Sequence, residues 1–159
     1  MFDPVTEYDF IIYSDDKTSI ITITLEEYLH QRLPSLSCTI EVLDNKFKAW
    51  NINVWFALEE LLSFISKLEK LEKTRQGNIC LKAMTPEDFS ITFENYNNKG
   101  DFAIHYSLTN NRKYFSEIKM SNTLTGGFKI DSEFLFKILS DFKHLASVAE
   151  LEMNIDFTT

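Results

Sequence analysis

The sequence predicts an α+β fold, with two amphipathic helices packed on mainly antiparallel sheet. Three observations carry this reading. Short alternating segments rich in Ile, Thr and Phe recur along the chain, the period-2 signature of half-buried strands. Two Phe/Leu-rich stripes at helical spacing, over 55–71 and 131–145, interrupt the alternation. The connections between alternating segments are of hairpin length, which favours antiparallel neighbours. Strand series begin at Ser19-Ile20-Ile21-Thr22-Ile23-Thr24 and again at Phe89-Ser90-Ile91-Thr92-Phe93-Glu94, and each runs into one of the helices. That order suggests an internal duplication, with pseudo-repeats at about 18–72 and 88–147 inside a single domain spanning 1–159.

The elements follow in order. Residues 8–14 read as a strand, and Asp15-Asp16-Lys17 supplies turn chemistry. Over 18–25, Ile21, Ile23 and Leu25 share one face, with Thr22 and Thr24 on the other. Residues 26–34 read as a loop closed by Pro34. Over 36–43, Leu36, Cys38, Ile40 and Val42 point inward, and Asp44-Asn45 turns the chain into a short strand over 46–51. Asn53 is positioned as an N-cap for the first helix, whose stripe is Trp55, Leu58, Leu61, Leu62, Ile65 and Leu68. Glu59 and Glu60 lie early and Lys67, Lys70, Lys73 and Arg75 late, matching the helix dipole at both ends.

Gly77 marks the break before a strand over 78–84. Phe89, Ile91 and Phe93 alternate in the next strand, a hairpin loop follows at 96–100, and Phe102, Ile104, Tyr106 and Leu108 alternate after it. Asn110-Asn111 reads as a turn into a strand over 113–121, and Gly126-Gly127 as a turn or bulge before a short strand over 128–130. Asp131 caps the second helix, with its stripe at Leu135, Ile138, Leu139, Phe142 and Leu145, and alternation over 151–157 predicts a terminal strand.

A chain of 159 residues with 14 Phe can build a core without disulfide or metal staples. Cys38 and Cys80 read as small buried hydrophobes in a reducing compartment. The acidic N-terminus lacks a signal-peptide core and no apolar run approaches a membrane span, so a cytoplasmic location is expected. The net charge is −8, and residues 1–45 hold nine acids against two bases, −7 of that total. Such a field repels nucleic acid and anionic membrane and attracts a basic partner.

The residues offer no catalytic, cofactor-binding or metal-ligating constellation. His30, His105 and His144 fall in a loop, a strand and a helix without a carboxylate or Cys at recurring ligand spacing. The carboxylate pairs Asp15/Asp16, Glu26/Glu27, Glu59/Glu60 and Glu87/Asp88 are sequence neighbours, which face opposite ways on a strand and do not face each other on a helix, so they are poorly placed as an acid/base dyad. No enzyme is therefore expected. Phe89, Phe93, Phe102, Tyr106 and Phe128 lie on inward faces and read as core, whereas Trp50, Trp55 and Tyr28 sit near element ends, where an aromatic can anchor a partner.

The helix over 55–71, Gly77-Asn78-Ile79-Cys80-Leu81, Thr85-Pro86-Glu87-Asp88-Phe89-Ser90-Ile91, Gly100-Asp101-Phe102 and Gly127-Phe128-Lys129-Ile130-Asp131 together carry a family likeness. Over about 36–145 the chain resembles small bacterial immunity proteins of the WapI-like kind, which accompany polymorphic or contact-dependent toxins. The resemblance implies a protein that binds and blocks one cognate toxin and has no catalytic residues. The acidic N-terminal third suits a basic toxin, such as a nuclease, whose phosphate-binding surface it would cover. Asp15, Asp16, Glu26, Glu27 and Tyr28 are the expected partner-binding residues. The alternative reading is a small-ligand-binding or regulatory module without catalytic activity. Homo-oligomerisation through a sheet edge is open but not indicated.

Overall fold

The computed structural model describes residues 6–114 and 118–151. A 3-10 turn at Thr6–Tyr8 leads into strands β1 (Phe10–Tyr13), β2 (Ser19–Leu29), β3 (Ser35–Asp44) and β4 (Phe47–Ala57), then helix α1 (Leu58–Thr74). The second half repeats that order with β5 (Asn78–Lys82), β6 (Ser90–Asn95), β7 (Phe102–Tyr114), β8 (Ile118–Ile130), a 3-10 turn at Ser132–Phe134 and helix α2 (Leu135–Ala146). Each half is a four-stranded sheet whose strands pair in chain order, every pair antiparallel. The fold is α+β with two antiparallel sheets and two helices, as the alternation and the stripes predict.

The inward sets read from the sequence are the core. Ile21, Ile23, Leu25, Cys38, Ile40, Val42, Ile91, Phe93, Ile104 and Leu108 are buried in one cluster with the stripes of both helices. Phe142 of α2 is its hub: its ring lies 5.0 Å from Phe10 of β1, 5.0 Å from Phe64 of α1 and 6.4 Å from Phe93 of β6. Offset and edge-on rings at such spacing add about 0.5–1.5 kcal/mol per pair beyond area burial. Phe56 and Phe64, absent from the expected stripe, are core, while Leu62 is half in water.

Several boundaries differ from the expectation. β2 continues to Leu29 because a bulge between Leu25 and Glu27 shifts its register against β3, which destroys the alternation that marks a strand. Glu26, Glu27 and Tyr28 are therefore strand residues. Asn53 is no N-cap. It sits within β4 at φ 56°, at a second register shift opposite Cys38 and Ile40, a left-handed position that Asn tolerates better than most residues. Trp55 pairs with Ser37 in β4, and α1 begins at Leu58, whose amide donates to the Pro34 carbonyl at 2.8 Å. At the far end Arg75, at φ 58°, closes the helix with its amide on the Leu71 carbonyl at 2.8 Å.

β7 runs through Asn110 and Asn111, which pair with Asn122 and Ser121. A Thr109–Thr123 hydroxyl bond of 2.9 Å and an Asn111 Nδ2–Glu87 Oε2 bond of 2.8 Å hold that stretch extended. β8 is one strand through Gly126 and Gly127 rather than a turn followed by a short strand. Cys80 is exposed, because Leu81 takes the inward position beside it. The terminal strand expected over 151–157 begins at Leu151, which lies in a helical turn, and otherwise falls outside the described residues.

The two sheets are stitched together by polar bonds. Asp44 at the β3–β4 turn accepts from Ser19 Oγ at 2.7 Å and from Tyr106 Oη of β7 at 2.5 Å. Asn51 Nδ2 of β4 donates to the carbonyls of Asp88 and Thr109 at 2.8 and 3.0 Å. The Trp55 carbonyl accepts from the Met84 amide at 2.7 Å, and the Asp15 amide donates to the Lys129 carbonyl at 2.8 Å.

Candidate partner-binding surface

The expected surface residues do not form one patch. Asp15 and Asp16 lie in the β1–β2 turn, whereas Glu26, Glu27 and Tyr28 lie toward the other end of β2. Eight residues separate Ser19 from Glu27 along that strand, roughly 26 Å at the usual rise. One rigid partner reaches both groups only with a footprint as long as the sheet.

Their local roles also differ. Asp16 Oδ1 accepts from Ser14 Oγ at 2.7 Å, Thr18 Oγ1 at 2.7 Å and the Thr18 amide at 3.1 Å. These bonds, the Ser14 hydroxyl first, hold its carboxyl below the usual carboxylate range. They shape the turn in which Lys17 adopts φ 61°. Asp15 is exposed. Glu26 sits at the β2 bulge, half-buried, and accepts from Thr39 Oγ1 at 2.9 Å. Glu27 is exposed opposite Ser37, and Tyr28, opposite Leu36, packs partly against the core.

Asp9, just before β1, belongs with Glu26. Its Oδ1 accepts from the Leu25 amide at 3.2 Å. Burial, and secondarily the Glu26 charge, push its carboxyl above the usual range, with the Leu25 bond opposing. The same two carboxylates reinforce the burial that drives the Cys38 thiol far above its ordinary value. Glu41 of β3 meets Lys48 of β4 at 3.6 Å across the same sheet. The solvent face of the first sheet thus carries Asp9, Glu26, Glu27 and Glu41. Two of these, Asp9 and Glu41, fell outside the expected set; the alternation over 36–43, which already put Glu41 outward, was the signal for it.

The remaining candidates for chemistry are dispersed. His105 Nε2 lies 2.9 Å from Glu94 Oε2 in an exposed cross-strand pair on the second sheet. The His144 ring stacks on Tyr8 with centroids 4.9 Å apart. Among the described residues no group of three or more His, Cys, Asp and Glu side chains could hold a metal ion. Among them also, no helix is long and apolar enough to cross a membrane. What this surface offers is carboxylate oxygens to cations and hydrogen-bond donors.

The fold defines an α+β protein built of two antiparallel four-stranded sheets and two helices. The family model of the WapI-like immunity proteins matches residues 11–147, and the chain belongs to that family. Membership points to toxin immunity and implies a cognate toxin as partner, in a family that is generally non-catalytic. No curated protein and no solved structure matches the chain.

Proposed function

We propose that this protein binds a cognate toxin domain and blocks it by occlusion, without catalysis, in the cytoplasm of the cell that makes it. Membership of the immunity family is the observation that carries the reading. The toxin surface it meets is basic, as in a nuclease that must hold phosphate. The support is the charge of residues 1–45 and the four carboxylates on the face of the first sheet. Opposite potentials raise encounter rates by about 10–10³-fold and fall away with salt. In this reading Glu26 and Glu27 contact the toxin, Asp15 stands at the rim, Asp16 keeps the turn in shape, and Tyr28 packs against the core at the end of β2. The shared sheet-then-helix order of the two halves is read as a pseudo-repeat that serves as scaffold, within one domain.

The test is to express the protein encoded by the adjacent gene with and without this chain. Rescue of growth and a 1:1 complex that weakens as salt rises are expected. Undiminished toxicity, or the absence of a complex at micromolar concentration, contradicts the proposal. The runner-up, a small-ligand module, draws on a groove of about 410 Å³ between β1 and α2, lined by Ile11, Tyr13, Phe134 and Ile138 among others. A ligand seated there raises the melting temperature by mass action.

A further inference from the structure

We infer that the toxin docks on the solvent face of the first sheet through an apolar ladder that runs from Tyr13 to Trp50, with the carboxylates beside it receiving the toxin's lysines and arginines. This rests on the immunity reading and adds the surface and its anchor.

The ladder follows from the register. Tyr13 is opposite Ile20, Ile20 opposite Leu43 and Leu43 opposite Lys48. In the next row Ile11 is opposite Thr22, Thr22 opposite Glu41 and Glu41 opposite Trp50. Directly opposed side chains lie about 4.5–5.5 Å apart at Cβ and diagonal ones about 7–8 Å, within reach of an aromatic side chain, so Tyr13, Ile20 and Leu43 form a row across β1, β2 and β3, and Trp50 of β4 continues it diagonally from Leu43. Trp50 is 60% exposed, Tyr13 49% and Leu43 38%, and Ile52, further along β4, is 65% exposed. A contiguous apolar band in water marks an interaction site more often than scattered apolar residues do.

The second sheet is an internal control. Its solvent face presents Thr92, Ser107, Thr109 and Thr125, and the exposed large hydrophobic residues of this sheet, Ile118 and Met120, lie at the start of β8 in the register of Leu108 and Leu124, on the opposite face. The solvent faces of two sheets of the same build thus differ, so sheet formation alone does not require an apolar row on that face.

Charge identifies the occupant. Lys48 Nζ lies 3.6 Å from Glu41 Oε1 and 5.9 Å from the centre of the Trp50 ring. A carboxylate beside an indole face makes a cation seat, and the protein's own lysine already uses it. Toward the loop end, Asp9, Glu26 and Glu27 extend the negative surface. A second copy of this chain would bring those carboxylates against their own kind, and nucleic acid is repelled by them. A basic protein surface satisfies both the apolar band and the acids.

The test uses the full chain and the purified protein encoded by the adjacent gene. Trp50→Ala is expected to weaken the complex at least about 30-fold, the scale of a central aromatic anchor. Leu43→Arg is expected to abolish binding, and Glu26→Gln with Glu27→Gln to slow association and flatten its salt dependence. Thr92→Arg, on the other sheet, is expected to bind within twofold of the parent. Melting temperatures near the parent value establish that all variants fold, since every altered side chain is partly or fully exposed. If the parent binds while Trp50→Ala and Leu43→Arg bind equally well, this surface is wrong and the immunity reading stands. If the parent itself does not bind, the immunity reading falls, and this inference with it. A dimer in light scattering that Leu43→Arg dissociates would make the face a self-interface and overturn the assignment.

Discussion

Gly126→Ala should damage the protein far more than an exposed glycine-to-alanine change in a strand normally does. Gly126 pairs with Tyr106 across β7 and β8. A Cβ built on it lies 2.5 Å from Tyr106 Oη, 2.8 Å from Asp44 Oδ2 and 2.9 Å from Tyr106 Cζ. Ordinary contact begins at 3.4 Å, so the clash is close to an ångström deep. Neither obstacle can yield alone, because the phenol donates to Asp44 Oδ2 at 2.5 Å and Ser19 Oγ holds Asp44 Oδ1 at 2.7 Å. Tyr106 lies across the glycine to reach the other sheet, and removing the gap removes the reach.

The magnitude comes from two terms. A hydrogen bond to a charged group is worth about 1.5–3 kcal/mol, and an extra methyl forced into a filled site costs about 1–3 kcal/mol. Gly126→Ala is therefore expected to cost about 2.5–6 kcal/mol, a loss of roughly 5–24 °C in Tm for a chain of this size. Tyr106→Phe removes the bond without the clash and should cost only the first term. The Gly126→Ala/Tyr106→Phe pair should be markedly non-additive, since both changes break one clasp. Thermal and urea unfolding of the four proteins measures it. Gly126→Ala melting within a degree of the parent, or strict additivity in the cycle, would refute the clasp.

Other outcomes follow from the same geometry. Phe142→Ala opens a cavity among Phe10, Phe64 and Phe93 and should cost about 3–5 kcal/mol in chemical denaturation; a loss below 1 kcal/mol would contradict its place as hub. An aqueous thiol reagent should titrate exposed Cys80 in the native protein and buried Cys38 only on unfolding, read as one fast and one slow equivalent. For Asp9, whose folded carboxyl is raised, the unfolded chain gives up its proton first, so stability is lost as pH rises through the carboxylate range. Asp9→Asn keeps the acceptor for the Leu25 amide. It should melt above the parent at pH 7 and lose that advantage on acidification below the ordinary Asp value; an equal advantage at all pH would show that charge is not the cause. Asn51→Ala removes both donors to the Asp88 and Thr109 carbonyls and should cost about 1–3 kcal/mol for the groups left unsatisfied; equal stability would mean that water replaces them.

The inward sets of the fold were legible because burial writes a period into the residues. Ile21, Ile23 and Leu25, or Phe102, Ile104 and Tyr106, can be read without coordinates. What failed was every place where the period slips. The bulge at Glu26 and the register shift at Asn53 each add a residue to one strand. A reader of alternation therefore ends the strand and assigns a loop or a helix cap. Asn110 and Asn111 misled differently: their turn preference is a local tendency, and pairing with β8 overrides it. Gly126 was legible only as a break, because the reason for a missing Cβ is a side chain 82 positions away at Asp44. Arg75 looked like one more base at a helix end. It in fact donates to the Ser132 carbonyl at 2.7 Å and covers the Phe102 ring at 5.8 Å, joining α1 to the second half.

The acidic N-terminal third has to be divided before it says anything about a partner. Asp44 clasps the sheets, Asp16 closes a turn and Asp9 satisfies the Leu25 amide, so these three would be selected with no toxin present. Their charge still enters the long-range field, because steering sums over all charges within about a Debye length of the surface, roughly 8–10 Å. Contact depends instead on what stands outward and unencumbered, which leaves Glu27 and Asp15 most clearly, then Glu26 and Glu41 with one partner each. Neutralising Asp44 thus confounds folding with binding, whereas neutralising Glu27 changes the field and the contact alone. If the proposed basic partner is attracted by the −7 of residues 1–45, the bonds each carboxylate already makes decide which of them it can use.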